Sequence, residues 1–104
     1  MGKFYHCVHF WLRDGLTDAQ LAEFIDGVRA LGGSENVESV RVAVPAGTDR
    51  PVVDNSYGVQ LLAIFPDAAA HERYQSGDPV HEAFIEKFNT CWTRVLIYDS
   101  VEPA

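Results

Sequence analysis

Phe4-Tyr5-His6-Cys7-Val8-His9-Phe10-Trp11-Leu12 is the stretch on which the fold turns. Aromatic and apolar residues dominate it, as expected of a strand. Successive side chains on a strand point to opposite faces. One face therefore carries Phe4, His6, Val8, Phe10 and Leu12, and the other Tyr5, Cys7, His9 and Trp11. Both faces are substantially apolar, so both need cover. One layer of helices can shield only one of them.

The next segment supplies such a layer. Thr17 and Gln20 have the spacing of a capping box, and Leu16 and Leu21 that of a hydrophobic staple around it. Leu21, Phe24, Ile25, Val28 and Leu31 then form one apolar stripe, with Gly32-Gly33 predicted to end the helix. Residues 37–44 read as a second strand with Val40, Val42 and Val44 on one face, and residues 45–56 as a loop. A third strand is expected over 57–65, and a helix opening at Pro66-Asp67 runs to about Gln75. Ser76-Gly77 breaks it before a further helix starting at Asp78 and ending near Asn89. Residues 95–101 form the last strand.

Strand, helix, strand, strand, split helix, strand is the order of an α+β, ferredoxin-like split βαβ fold. Its four-stranded antiparallel sheet carries helices on one face only. The other face, with Tyr5, Cys7, His9, Trp11, Gln60, Leu62 and Ile64, exceeds the apolar patch a monomer usually tolerates. A second copy packed sheet to sheet is the simplest cover, and two-fold dimers are the commonest assembly. The expectation is a homodimer through the sheet faces, forming a dimeric α/β barrel.

At 104 residues the chain is a single domain over 1–104, with its core at about 3–101. A formal charge of −7 with eight scattered Lys and Arg argues against nucleic acid and anionic membranes. No apolar run is long enough to cross a bilayer. Residues 1–4 lead into the first strand without a secretion-signal layout, and Cys7 and Cys91 are expected to stay reduced. A cytoplasmic location is the expectation.

The chemistry concentrates in Asp78-Pro79-Val80-His81-Glu82-Ala83-Phe84. Asp78 is a good N-cap and Pro79 suits the first helical position. His81 then sits in the first turn, at the positive end of the helix dipole, where the neutral imidazole is favoured. Phe84, Ile85 and Phe88 share its stripe, so the ring points to a core or pocket. A neutral imidazole in an apolar cleft can act as a general base; the bland alternative is a core histidine bonded to a carbonyl.

The start of the chain through Arg13-Asp14-Gly15 resembles the "HxVxFxLKDG" opening of the stress-responsive dimeric α/β-barrel family. Residues 57–65 resemble its third strand, Tyr74 with Asp78–Phe84 its "Y…HPxHxxF" segment, and residues 95–99 its last strand. One branch holds plant polyketide cyclases of the olivetolic acid cyclase type, which close poly-β-ketones without a cofactor. The resemblance implies His81 and Tyr74 as catalytic residues, with His6, Val59 and Phe84 lining the substrate pocket. Three departures stand out. The first His of "HPxH" is Asp78, one extra residue separates Tyr74 from His81, and a pocket histidine is replaced by Val59.

In this reading His81 removes a carbon-bound proton, Tyr74 donates to the enolate oxygen and His6 forms a wall. The expected activity is a cofactor-free cyclase or isomerase on a small apolar keto compound. A non-enzymatic stress-associated protein that binds a small apolar ligand or stabilises other proteins is the rival. A cofactor-independent monooxygenase is the third. No cofactor is expected and no metal: His6 and His9 fall on opposite strand faces, Cys7 with His9 gives only two ligands, and His71-Glu72 is expected to face solvent. Trp11, Trp92 and Tyr98 could suggest an aromatic cage, but packing of the core or interface is the expected use.

Overall fold

The computed structural model describes residues 2–104; Met1 lies outside them. Strand β1 spans Phe4–Leu12, helix α1 Asp18–Arg29, β2 Ser39–Ala43 and β3 Val59–Phe65. Helices α2 (Ala68–Gln75) and α3 (Pro79–Phe88) follow, and β4 (Trp92–Val101) closes the chain. The sheet order is β2-β3-β1-β4, with every neighbouring pair antiparallel. This is the ferredoxin-like α+β arrangement. The shortest dimension is 18 Å, the thickness of one sheet and one helical layer.

Thr17 caps α1 through its hydroxyl to the Gln20 amide at 3.1 Å, and the Gln20 side chain returns the bond at 3.0 Å. The capping box thus forms as its spacing requires. Phe24 and Val28 are fully buried from this helix, and Phe24 meets Phe10 edge to face at 5.3 Å. Burying such a side chain contributes about 1.5–3 kcal/mol. Val8 and Phe10 of β1 and Val59, Leu61, Ala63 and Phe65 of β3 complete the floor beneath Tyr74, Phe84 and Phe88. Between α2 and α3, Gly77 has φ +91°, a left-handed conformation that glycine adopts freely.

Several boundaries and faces differ from the sequence reading. Helix α1 ends at Arg29 and passes into a 3₁₀ turn over Ala30–Gly33. Neither Gly32 nor Gly33 is left-handed, so the glycine pair does not terminate the helix as expected. Strand β2 is shorter than 37–44, and Val44 is exposed. β4 begins three residues earlier than expected, because Leu12 pairs with Trp92 across a register shift in β1. Ile85 leaves the buried stripe and is exposed.

β4 is an edge strand lying beyond the helices. Val95, Ile97 and Val101 align with the core-facing residues of β1, yet all three are exposed. Tyr98, on the opposite face beside Cys7, is 62% exposed. The helical layer therefore covers β3 and β1 but leaves one margin of the sheet bare.

Candidate functional site

Under that margin lies a cavity of about 210 Å³ between the helices and the β1–β4 half of the sheet. His6, Tyr74, His81, Phe84 and Trp92 line it, with Val95 and Ile97 at its β4 side. Three larger depressions, one around Arg73, one between α1 and α3 and one beside Asp67 and Val101, contain no histidine. The titratable chemistry converges on the smaller, more apolar cavity.

Each of its polar groups is placed by local structure. Asp78 caps α3, accepting from the Val80 amide at 2.9 Å and the His81 amide at 3.3 Å. It also accepts from the Ser34 hydroxyl and from Asn36 Nδ2 at 2.9 Å, which anchors α3 to the end of the 3₁₀ turn. Burial alone would raise its pKa, but these four hydrogen bonds together hold the carboxyl below its ordinary value. The cap fixes the first turn of α3 and so the root of the His81 side chain.

The His81 ring lies 4.3 Å from the Tyr74 ring, tilted by 36°. Burial first, then the neighbouring His6, lowers the His81 pKa; Asp78, Glu82 and a backbone hydrogen bond with Tyr74 pull the other way. The imidazole is therefore neutral at pH 7, as the sequence suggests, mainly through burial. Tyr74 is 1% exposed, and burial, assisted by the Asp78 charge, pushes its phenol well up. It stays a neutral donor.

His6 is 4% exposed and its Nδ1 lies 2.6 Å from Asp99 Oδ1. A carboxylate at that nitrogen favours the proton on Nδ1 and leaves the Nε2 lone pair free. Asp99 is the direct cross-strand partner of His6. Sequence reasoning missed it, although an acidic residue on the last strand was there to be paired once the register was known.

His71 is the second omission and a correction. It is half-buried and does not face solvent as expected. Its ring stacks on Phe4 at 4.0 Å and lies 4.9 Å from the His6 ring. Burial, then His6, lowers its pKa, opposed by Asp99. The available signal was its position three residues before Tyr74, on the same face of α2. His6, His71 and Asp99 each offer a ligand atom, and these atoms lie within 4.8 Å of one another.

Of the residues expected to form the site, His6, Tyr74, His81 and Phe84 meet at the cavity. Val59 does not. It is fully buried opposite Phe10 in the β1–β3 ladder and belongs to the core. On the other sheet face, His9 Nε2 lies 3.0 Å from Gln60 Nε2, and the ring meets Tyr57 edge-on at 5.0 Å. His6 and His9 are thus separated by the sheet, as their odd spacing requires.

No curated protein matches the sequence. Solved structures do match the fold. A Dabb family protein with a ferredoxin-like fold from Mesorhizobium loti is 24% identical, with all of both chains covered and a TM-score of 0.78. The hydroxynitrile lyase from Passiflora edulis is 13% identical, covering 98% of this chain and 94% of its own, at a TM-score of 0.82. A protein from Thermobifida fusca, described as dimeric and ferredoxin-like, is 15% identical over 97% of this chain and 92% of its own, at 0.78. Residues 4–102 match the Stress responsive A/B Barrel Domain, and the chain belongs to that family, Dabb.

Proposed function

We propose that the chain is half of a homodimeric, cofactor-free enzyme that moves a proton on a small apolar carbonyl compound, as a cyclase or isomerase does. The observation that carries this reading is the packing of a neutral imidazole, His81, against a neutral phenol, Tyr74, at the wall of a largely apolar cavity. His81 takes a proton from the carbon next to the carbonyl. The Tyr74 hydroxyl donates to the oxygen on which negative charge develops, and proton return completes the isomerisation or follows ring closure. Phe84 and Trp92 keep water away from the enolate. The cavity is smaller than the ~300–1,000 Å³ of typical ligand sites, which favours a compact substrate.

Two features support a dimer. The open face, carrying Tyr5, Cys7, Trp11, Leu62 and Ile64, has no helical cover, and relatives of this fold are described as dimeric. Free Cys7 and Cys91 fit a reducing, cytoplasmic setting.

The test needs no knowledge of the natural substrate. Small β-diketones are incubated in D₂O with the protein, and deuterium entry at the carbon between the carbonyls is followed by NMR. The expected result is exchange above the buffer rate that His81→Ala removes. Exchange at the buffer rate across linear and cyclic diketones, or equal exchange by the variant, overturns the reading.

A further inference from the structure

We infer that His6, His71 and Asp99 form a binding site for one transition-metal ion, of the zinc class, at the edge of the cavity. The three side chains come from three elements: β1, α2 and β4. His6 and Asp99 are opposite one another in the antiparallel register and project to the helical side of the sheet. α2 brings His71 over them, with its ring held flat against Phe4 at 4.0 Å and 18°. Their ligand atoms lie within 4.8 Å of one another. Zn–N and Zn–O bonds of about 2.0–2.2 Å place tetrahedral ligands roughly 3.3 Å apart, so small side-chain rotations close the set.

His6 Nδ1 and Asp99 Oδ1, now 2.6 Å apart, would part by less than an ångström to admit the ion, and the imidazole proton would move from Nδ1 to Nε2 so that Nδ1 can ligate. Asp99 has the freedom to do so, since its side chain is 40% exposed. His71 has no carboxylate hydrogen bond of its own among the described residues. Its Nε2 meets only the Gln75 amide, at 3.4 Å. A simple ion pair between His6 and Asp99 would not require a second imidazole turned inward 4.9 Å away.

Two imidazoles and one carboxylate select zinc, cobalt, nickel or copper over magnesium and calcium, which prefer all-oxygen shells. Three protein ligands leave a fourth position open for water or an incoming group. The chain's formal charge of −7 also favours a cation. His6 lines the cavity but His71 and Asp99 do not, so this site goes beyond the proton-transfer reading and is tested separately from it at those two residues.

The experiment is equilibrium dialysis of the full chain, stripped with chelator, against Zn²⁺ in excess Mg²⁺. Co²⁺ absorption then reports coordination. One zinc per chain is expected, with the visible bands of tetrahedral cobalt. His71→Gln and Asp99→Asn should each weaken zinc at least tenfold, whereas Glu72→Gln, the exposed neighbour, and His81→Ala should not. Amide NMR spectra confirm that each variant is folded. Absence of stoichiometric zinc in the unmodified chain, or unchanged affinity in folded His71→Gln and Asp99→Asn, overturns the site.

Discussion

The Asp78 carboxylate accepts the backbone N–H of His81 at 3.3 Å, which makes the cap of α3 and the candidate base one mechanical unit. The same carboxylate takes bonds from Ser34 and Asn36, so it is a buried anion at 4% exposure held by four donors. Asp78→Ala removes a helix cap and strands those donors. We expect a loss of about 2.5–4 kcal/mol in urea unfolding, from about 1 for the cap and 1.5–3 for a charged hydrogen bond. A loss below about 0.5 kcal/mol would show that the network contributes nothing net.

Asp78 also sets an acid limit on stability. Its folded pKa lies below the ordinary carboxylate value of about 3.9. The unfolded chain therefore takes up this proton first as pH falls. Asp78 stabilises the fold fully above that value, and the contribution disappears as pH drops through the folded pKa. Asp78→Asn should flatten the unfolding free energy against pH below about 4 relative to the unmodified chain. Parallel curves for the two proteins would contradict the assignment.

His81 carries the corresponding prediction for turnover. Protonation of the base abolishes activity, and its pKa is held below the ordinary imidazole value of about 6.5. Diketone exchange should thus be level through neutrality and fall only under acid, with the inflection below 6.5. His81→Ala should reduce it about 100-fold or more, the usual scale of a general base. His6→Gln removes an imidazole that helps to lower the His81 pKa, so its residual activity should show the inflection moved upward. An unmoved inflection would assign the titration to another group.

These residues also show where sequence reading succeeds and where it stops. The capping box at Thr17, the Asp78 cap and the alternation of β1 are local patterns, and each appears in the structure as its spacing dictates. His81, Tyr74 and His6 were legible because they sit in motifs or on a strand face. The placement of Asp99 and His71 beside His6 was not, because it comes from pairing across β1 and β4 and from the docking of α2. Val59 was misplaced for a related reason. A family position fixes where a residue lies on its strand, whereas cavity lining depends on how far the helices cover that strand. Ile85 shows the same limit, since α3 stops short of covering β4.

Gly27 tests the packing that supports α3. A Cβ at this position would fall 2.2 Å from the Phe88 ring, itself 7% exposed. Alanine improves the helix by about 0.5–1 kcal/mol, but overpacking a core costs about 1–3. Gly27→Ala should therefore be net destabilising by about 1 kcal/mol. A more stable variant would mean that Phe88 shifts freely and that α1 and α3 are less tightly interlocked.

Leu62 and Trp11 test the open sheet face. Trp11 is partly covered within its own chain, by Arg94 at 4.2 Å from its ring centre and by the Ser56 hydroxyl, which its indole meets at 3.0 Å. Leu62 stands opposite Cys7 on the same face, and no helix covers it. A glutamate at either place puts a charge where a second sheet would pack, and burying it there costs several kcal/mol. Trp11→Glu and Leu62→Glu should each shift the protein from dimer to monomer, or to aggregate, in size-exclusion chromatography with light scattering. The Leu62 variant is the cleaner arm, because it disturbs no side-chain bond within the subunit. If both variants elute as normal dimers, the partner does not sit on this face. The cover over Tyr5, Cys7 and Trp11 must then come from somewhere other than a second sheet.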